Sequence, residues 1–91
     1  MKKKEKMIHK SEVEKYTGSM EELAEEIGNL KYDSLANFLD LLADKIQRDG
    51  QKDKERNRVK LANNLFQSAE RIRESKGFID KAWVICEPFT N

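Results

Sequence analysis

Ninety-one residues make one domain, and a chain this short buries only about 60–65% of the surface its unfolded form exposes, so its core is either compact or completed by a partner. Charged residues are 38% of the chain and the mean hydropathy is −0.87, yet the apolar residues recur in regular stripes, which excludes simple disorder. The near-neutral balance (+1, isoelectric point about 7.8) argues against a dedicated polyanion binder, and the longest apolar run, Ala82 to Cys86, is far short of the roughly 20 residues that span a bilayer, so no membrane insertion is expected.

Residues 1–16 form a basic arm, six lysines against Glu5, Glu12 and Glu14, and residues 17–91 form a single helical domain. The basic start is followed by no apolar stretch, so export through a signal peptide is not expected. Cys86 is alone in the sequence, which rules out an intrachain disulfide and fits a cytoplasmic location. In the apolar run that holds it, Cys86 reads as a small buried hydrophobe.

Ser19 followed by Glu22 has the spacing of a capping box, so a first helix starts at Met20. Met20, Leu23, Ile27 and Leu30 give it a narrow apolar stripe ending near Gly28 or Leu30. Asp33 or Ser34 can cap a second helix, whose stripe is Leu35, Phe38, Leu39, Leu42 and Ile46 and whose end is expected at Asp49-Gly50. From about Asp53 to Cys86 the positions Leu61, Leu65, Ser68, Ile72, Ser75, Ile79, Ala82 and Cys86 keep a heptad spacing, which predicts one long third helix, continuous or kinked, with a break at Lys76-Gly77 as the alternative.

These elements predict an all-α fold: a small antiparallel bundle of three helices, or four if the long helix breaks. The second helix forms a hairpin with the first half of the third, and the first helix covers part of what remains. Phe78, Ile79, Ala82, Trp83, Val84, Ile85 and Cys86 then point in nearly every direction around the last helix, and a helix that is apolar all round is normally buried all round. A second copy of the chain, as a homodimer, or another helical protein is expected to cover Leu41, Phe78, Trp83, Ile85 and Phe89. The alternative is that the arm and the tail Glu87-Pro88-Phe89 fold back to do so.

Charge is segregated along the chain. Residues 19–49 carry eight acidic side chains against three basic ones, and residues 50–60 carry five basic against two acidic. The segregation suits electrostatic steering or head-to-tail self-association. Lys52, Lys54, Arg56, Arg58 and Lys60 are the candidate phosphate contacts of a nucleic-acid-binding alternative, although Asp53 and Glu55 interrupt them and no aromatic residue lies between them to stack on bases.

The acidic segment also carries a partial resemblance. Glu21, Glu22 and Glu25, with Asp40 and Asp44 on the next helix, are similar in part to the all-α nucleoside triphosphate pyrophosphohydrolases, whose first helix bears two adjacent glutamates and a third three residues on. The resemblance implies a Mg²⁺ site and pyrophosphate release. This chain departs from the pattern in its second half, because that family's later acidic pair is three residues apart and Asp40 and Asp44 are four apart. Helical phase also sends Asp40 and Asp44 opposite the Leu35, Leu39 and Leu42 stripe, toward water. No His–Cys ligand set and no phosphate-cradling glycine loop is present, and His9 reads as an exposed imidazole, so the expectation is a non-enzymatic helical interaction module without a cofactor.

Overall fold

The computed structural model describes residues 9–89; residues 1–8 of the predicted basic arm lie outside them. Three α-helices follow one another, α1 (Met20–Gly28), α2 (Tyr32–Glu55) and α3 (Val59–Cys86), and a 3₁₀ turn spans Glu87–Phe89. Among the described residues there is no strand, and no helix is long and apolar enough to cross a membrane.

The capping box forms as the sequence predicts. Ser19 Oγ accepts the Glu22 backbone N–H at 3.1 Å, and the Glu22 carboxylate accepts the Ser19 N–H at 2.8 Å. The second helix differs at both ends. It begins at Tyr32 with no side-chain cap, so that Asp33 lies in its first turn and accepts the Ser34 N–H. Nor does it stop at Gly50; it runs on to Glu55. The chain reverses at Asn57, which takes the left-handed conformation (φ 62°) that the sequence reading assigned to the glycine. Arg58 N–H reaches the Asp53 carbonyl at 2.8 Å and Asn57 N–H reaches that of Lys54 at 3.0 Å, the two bonds of a Schellman motif. The Arg58 guanidinium lies 3.6 Å from the Asp53 carboxylate and closes the turn from outside.

Moving that boundary changes the architecture. α2 has 24 residues and α3 has 28, about 36 and 42 Å at 1.5 Å per residue, so the two match along almost their whole lengths. Pairing runs from Gly50 against Phe66, through Asp44 with Arg73, to Lys31 beside Trp83. The expected hairpin with only the first half of the last helix is therefore corrected to a full-length one. α3 passes through Gly77 as one helix, which decides against the break that Lys76-Gly77 left open.

The seam of this hairpin is made of small residues. Ala36, Ala43 and Gly50 on α2, and Ala62 and Ala69 on α3, are its buried positions, spaced seven apart, and no large side chain among the described residues is fully buried. A seven-residue repeat keeps one line of a helix facing its neighbour, and alanine or glycine on that line lets two backbones approach closely. The predicted stripe is displaced to the flank: Leu35, Phe38, Leu39 and Ile46 are half-buried and Leu42 is exposed. On α3 the predicted heptad flanks the seam in the same way, with Leu65, Ile72 and Ile79 half-buried and Leu61 exposed.

α1 makes almost no close backbone approach to either long helix, so it does not cover the hairpin as expected. Its partner is the preceding segment: Tyr16 hydroxyl donates to the Glu26 carboxylate, and a Cβ at Gly18 would come within 2.7 Å of the Tyr16 ring, so glycine is what lets the ring lie there. The molecule measures 59 × 30 × 16 Å, with a radius of gyration of 16.7 Å against about 12 Å for a compact domain of this length.

Candidate functional site

One line of α3 faces away from α2 and is apolar. Phe78, Ala82 and Ile85 follow at spacings of four and three, which at about 100° per residue keeps them on one face, and Phe89 extends the row into the 3₁₀ turn. Phe78 is 69% exposed, Ile85 72% and Phe89 86%, with Val84 beside them at 72%. Lys81 Nζ stands 4.9 Å from the centroid of the Phe78 ring, leaving the rest of the row bare. Toward the N-terminus the same face becomes charged at Arg71 and Glu74, which pair with each other at 2.7 Å.

The other two residues of the predicted interface lie elsewhere. Leu41 is exposed, but five residues beyond Ala36 its phase puts it on the outer edge of α2, across the hairpin from the Phe78 row. Trp83 is half-buried and is seven residues twice over from Ala69, so it faces inward; it lies among Gly28, Asn29, Leu30, Lys31, Tyr32 and Cys86, with Lys31 Nζ 5.7 Å from its ring centroid. It tacks the start of α2 to the end of α3. The structure thus gathers Phe78, Ile85 and Phe89 and separates Leu41 and Trp83 from them.

The five basic candidates crowd the tip where α2 turns into α3. Arg58 is engaged with Asp53, whereas Lys52, Lys54, Arg56 and Lys60 carry no ion pair. Val59 and Leu61 stand exposed among them; Leu61 opens the predicted heptad, and Val59, which lies outside it, is an apolar tip residue that the sequence reading passed over. The opposite, open half of the hairpin is acidic: residues 19–40 hold Glu21, Glu22, Glu25, Glu26, Asp33 and Asp40 against Lys31 alone.

The acidic residues do not converge. No group of acidic, histidine or cysteine side chains among the described residues has the geometry to hold a metal ion. Glu22 serves the capping box, and its carboxyl is held below the usual range by the Ser19 backbone N–H and then the Ser19 hydroxyl. The expectation that Asp40 and Asp44 face water is corrected: both are half-buried along the hairpin. Asp44 Oδ1 accepts from Arg73 Nη2 at 2.9 Å, and Asp40 adds to the field that raises the Lys76 pKa, behind the larger effect of the Asp80 carboxylate. The Asp49 carboxyl is lowered chiefly by its hydrogen bond from Lys45 at 2.6 Å, with His9 contributing, and Cys86 is a half-buried free thiol. These are structural pairs on helix surfaces rather than a set of groups facing one cavity.

No family model, no curated protein and no solved structure matches the chain.

Proposed function

We propose that this protein is a helical protein–protein interaction module of the cytoplasm, whose working surface is the outward row of α3. The observation that carries the reading is the exposure of Phe78, Ile85 and Phe89 in one line, with no part of the described chain laid over them. Apolar rows of this kind on a monomer are either docking sites or aggregation liabilities, and burying a Phe or Ile side chain stabilises by about 1.5–3 kcal/mol before the costs of association. An amphipathic helix laid along the row, with anchors at spacings of three and four, is the partner geometry that matches it. Packed against such a partner, the open hairpin becomes one half of an antiparallel helical bundle. The reading assigns the chain no catalytic step.

The test is a photo-crosslinking amino acid placed at Ala82, inside the row, and at Arg48, an exposed position seven residues beyond Leu41 and so on the outer edge of α2. Adducts in cells are expected from position 82 only, and they are expected to disappear when Phe78→Lys and Ile85→Lys are added while helicity is unchanged. Adducts that persist in that double variant would overturn the reading.

A further inference from the structure

We infer that the row is covered by a second copy of this chain laid antiparallel, so that the basic hairpin tip of each copy meets the acidic α1 half of the other. The inference rests on the interaction reading above and adds the partner's identity and direction.

Surface area argues that a partner of substantial size is missing. The chain exposes 8057 Å², against about 5,500 Å² for a compact monomer of 10.7 kDa. Crediting the ten residues outside the described ones with the surface of fully unfolded chain still leaves an excess on the order of 1,000 Å², and each partner in a standard interface covers about 800 Å².

Charge argues for what that partner is. Lys52, Lys54, Arg56 and Lys60 at the tip, and Glu21 and Glu25 on α1, are exposed and make no ion pair. Along α2 the two ends are about 36 Å apart, several times the Debye length of about 8 Å at physiological salt, so they cannot neutralise each other within one chain. A second copy carries both complements at the same spacing. Laid parallel, two copies would set cations on cations; laid antiparallel about a two-fold axis, both unlike contacts form at once and the assembly closes as a dimer instead of growing into a filament. The apolar surface follows the same polarity. Val59 and Leu61 are exposed at the tip, about 100° to either side of the line of the Phe78–Phe89 row, so antiparallel copies bring an apolar flank of each tip to the open half of the other.

The experiment is sedimentation equilibrium on the full chain with two charge-reversed variants, each checked for unchanged helicity. One carries Lys54→Glu, Arg56→Glu and Lys60→Glu; the other carries Glu21→Lys and Glu25→Lys, with Glu21→Gln and Glu25→Gln as a milder form should α1 unfold. The wild type is expected to be dimeric at about 50 mM salt, with its Kd rising at least about tenfold by about 500 mM. Each variant alone is expected to be monomeric, and an equimolar mixture is expected to dimerise again, because the reversed tip of one then meets the reversed α1 of the other while the remaining tip–α1 contact is the native one. The inference is overturned by a wild type that stays monomeric at high micromolar concentration, by variants that dimerise like the wild type, by a mixture that stays monomeric, or by mass that vanishes on nuclease treatment. If the wild type is monomeric while the Ala82 crosslinks persist, the second copy is excluded and the interaction reading stands; if both fail, both fall.

Discussion

Gly50 and Gly77 each sit inside a long helix, and only Gly50 is required there by space. A Cβ at Gly50 would lie 2.8 Å from the Phe66 ring and 3.3 Å from Leu65 Cβ, whereas nothing stands within 4 Å of one at Gly77. Alanine is favoured over glycine by about 1 kcal/mol in a helix interior, and crowding a packed seam costs about 1–3 kcal/mol. Gly77→Ala should therefore stabilise the protein by about 0.5–1 kcal/mol, and Gly50→Ala should destabilise it by about 1 kcal/mol net, both read from urea melts. The same reasoning applies to Ala43, which has no exposed surface at all: Ala43→Leu would force the helices apart and should cost about 3 kcal/mol. A loss smaller than that of Gly50→Ala would contradict the close seam. These positions show why the sequence reading misplaced the core. It weighed side chains by size, and at a seam where two backbones nearly touch the smallest residues are the buried ones.

At the scale of elements, α1 depends on its ends more than on packing, since it barely approaches the hairpin. Ser19→Ala removes the acceptor for the Glu22 N–H and should cost about 1 kcal/mol, seen as loss of α1 protection in amide exchange while α2 and α3 are unaffected. Acidification acts on the same device. Because the Glu22 pKa is lowered in the folded state, its contribution is complete above the ordinary glutamate range near about 4.3 and is lost as pH falls through the lower folded value. Chemical shifts of α1 should move toward coil between about pH 4.5 and pH 2, earlier than those of α3. This helix was legible in full, because a capping box is local in sequence and in space. The end of α2 was not: Gly50 is an equally good local stop signal, and the long-range approach of Phe66 decides that it is used for closeness. The Schellman turn at Asn57 then supplies the reversal.

Over the whole molecule, a long hairpin whose seam is alanine and glycine buries little apolar surface per residue, and three of its large side chains, Phe78, Ile85 and Phe89, remain outside. If assembly completes the core, stability is coupled to concentration by mass action. The melting temperature of the wild type should then rise by several degrees between about 5 and about 500 µM, and that rise should vanish in Phe78→Lys/Ile85→Lys; a concentration-independent melt in the wild type would argue against a self-completed core. The candidate interface was legible only in part. Composition and the spread of apolar side chains in nearly every direction between Phe78 and Cys86 marked the right segment, but Trp83 belongs to the inner side, facing the residues that lead into α2, and Leu41 to the far edge, which single-helix phase cannot tell without the neighbour. By itself the sequence determined the helical class, the capping box and the separation of acidic from basic charge, because each follows from residues within about four to seven positions of one another. Only the tertiary structure decided where α2 ends, which stripe forms the seam and which apolar face is left over, because these depend on how closely two helices about 40 Å long can lie together, and that distance is set by pairs of small residues far apart in the chain.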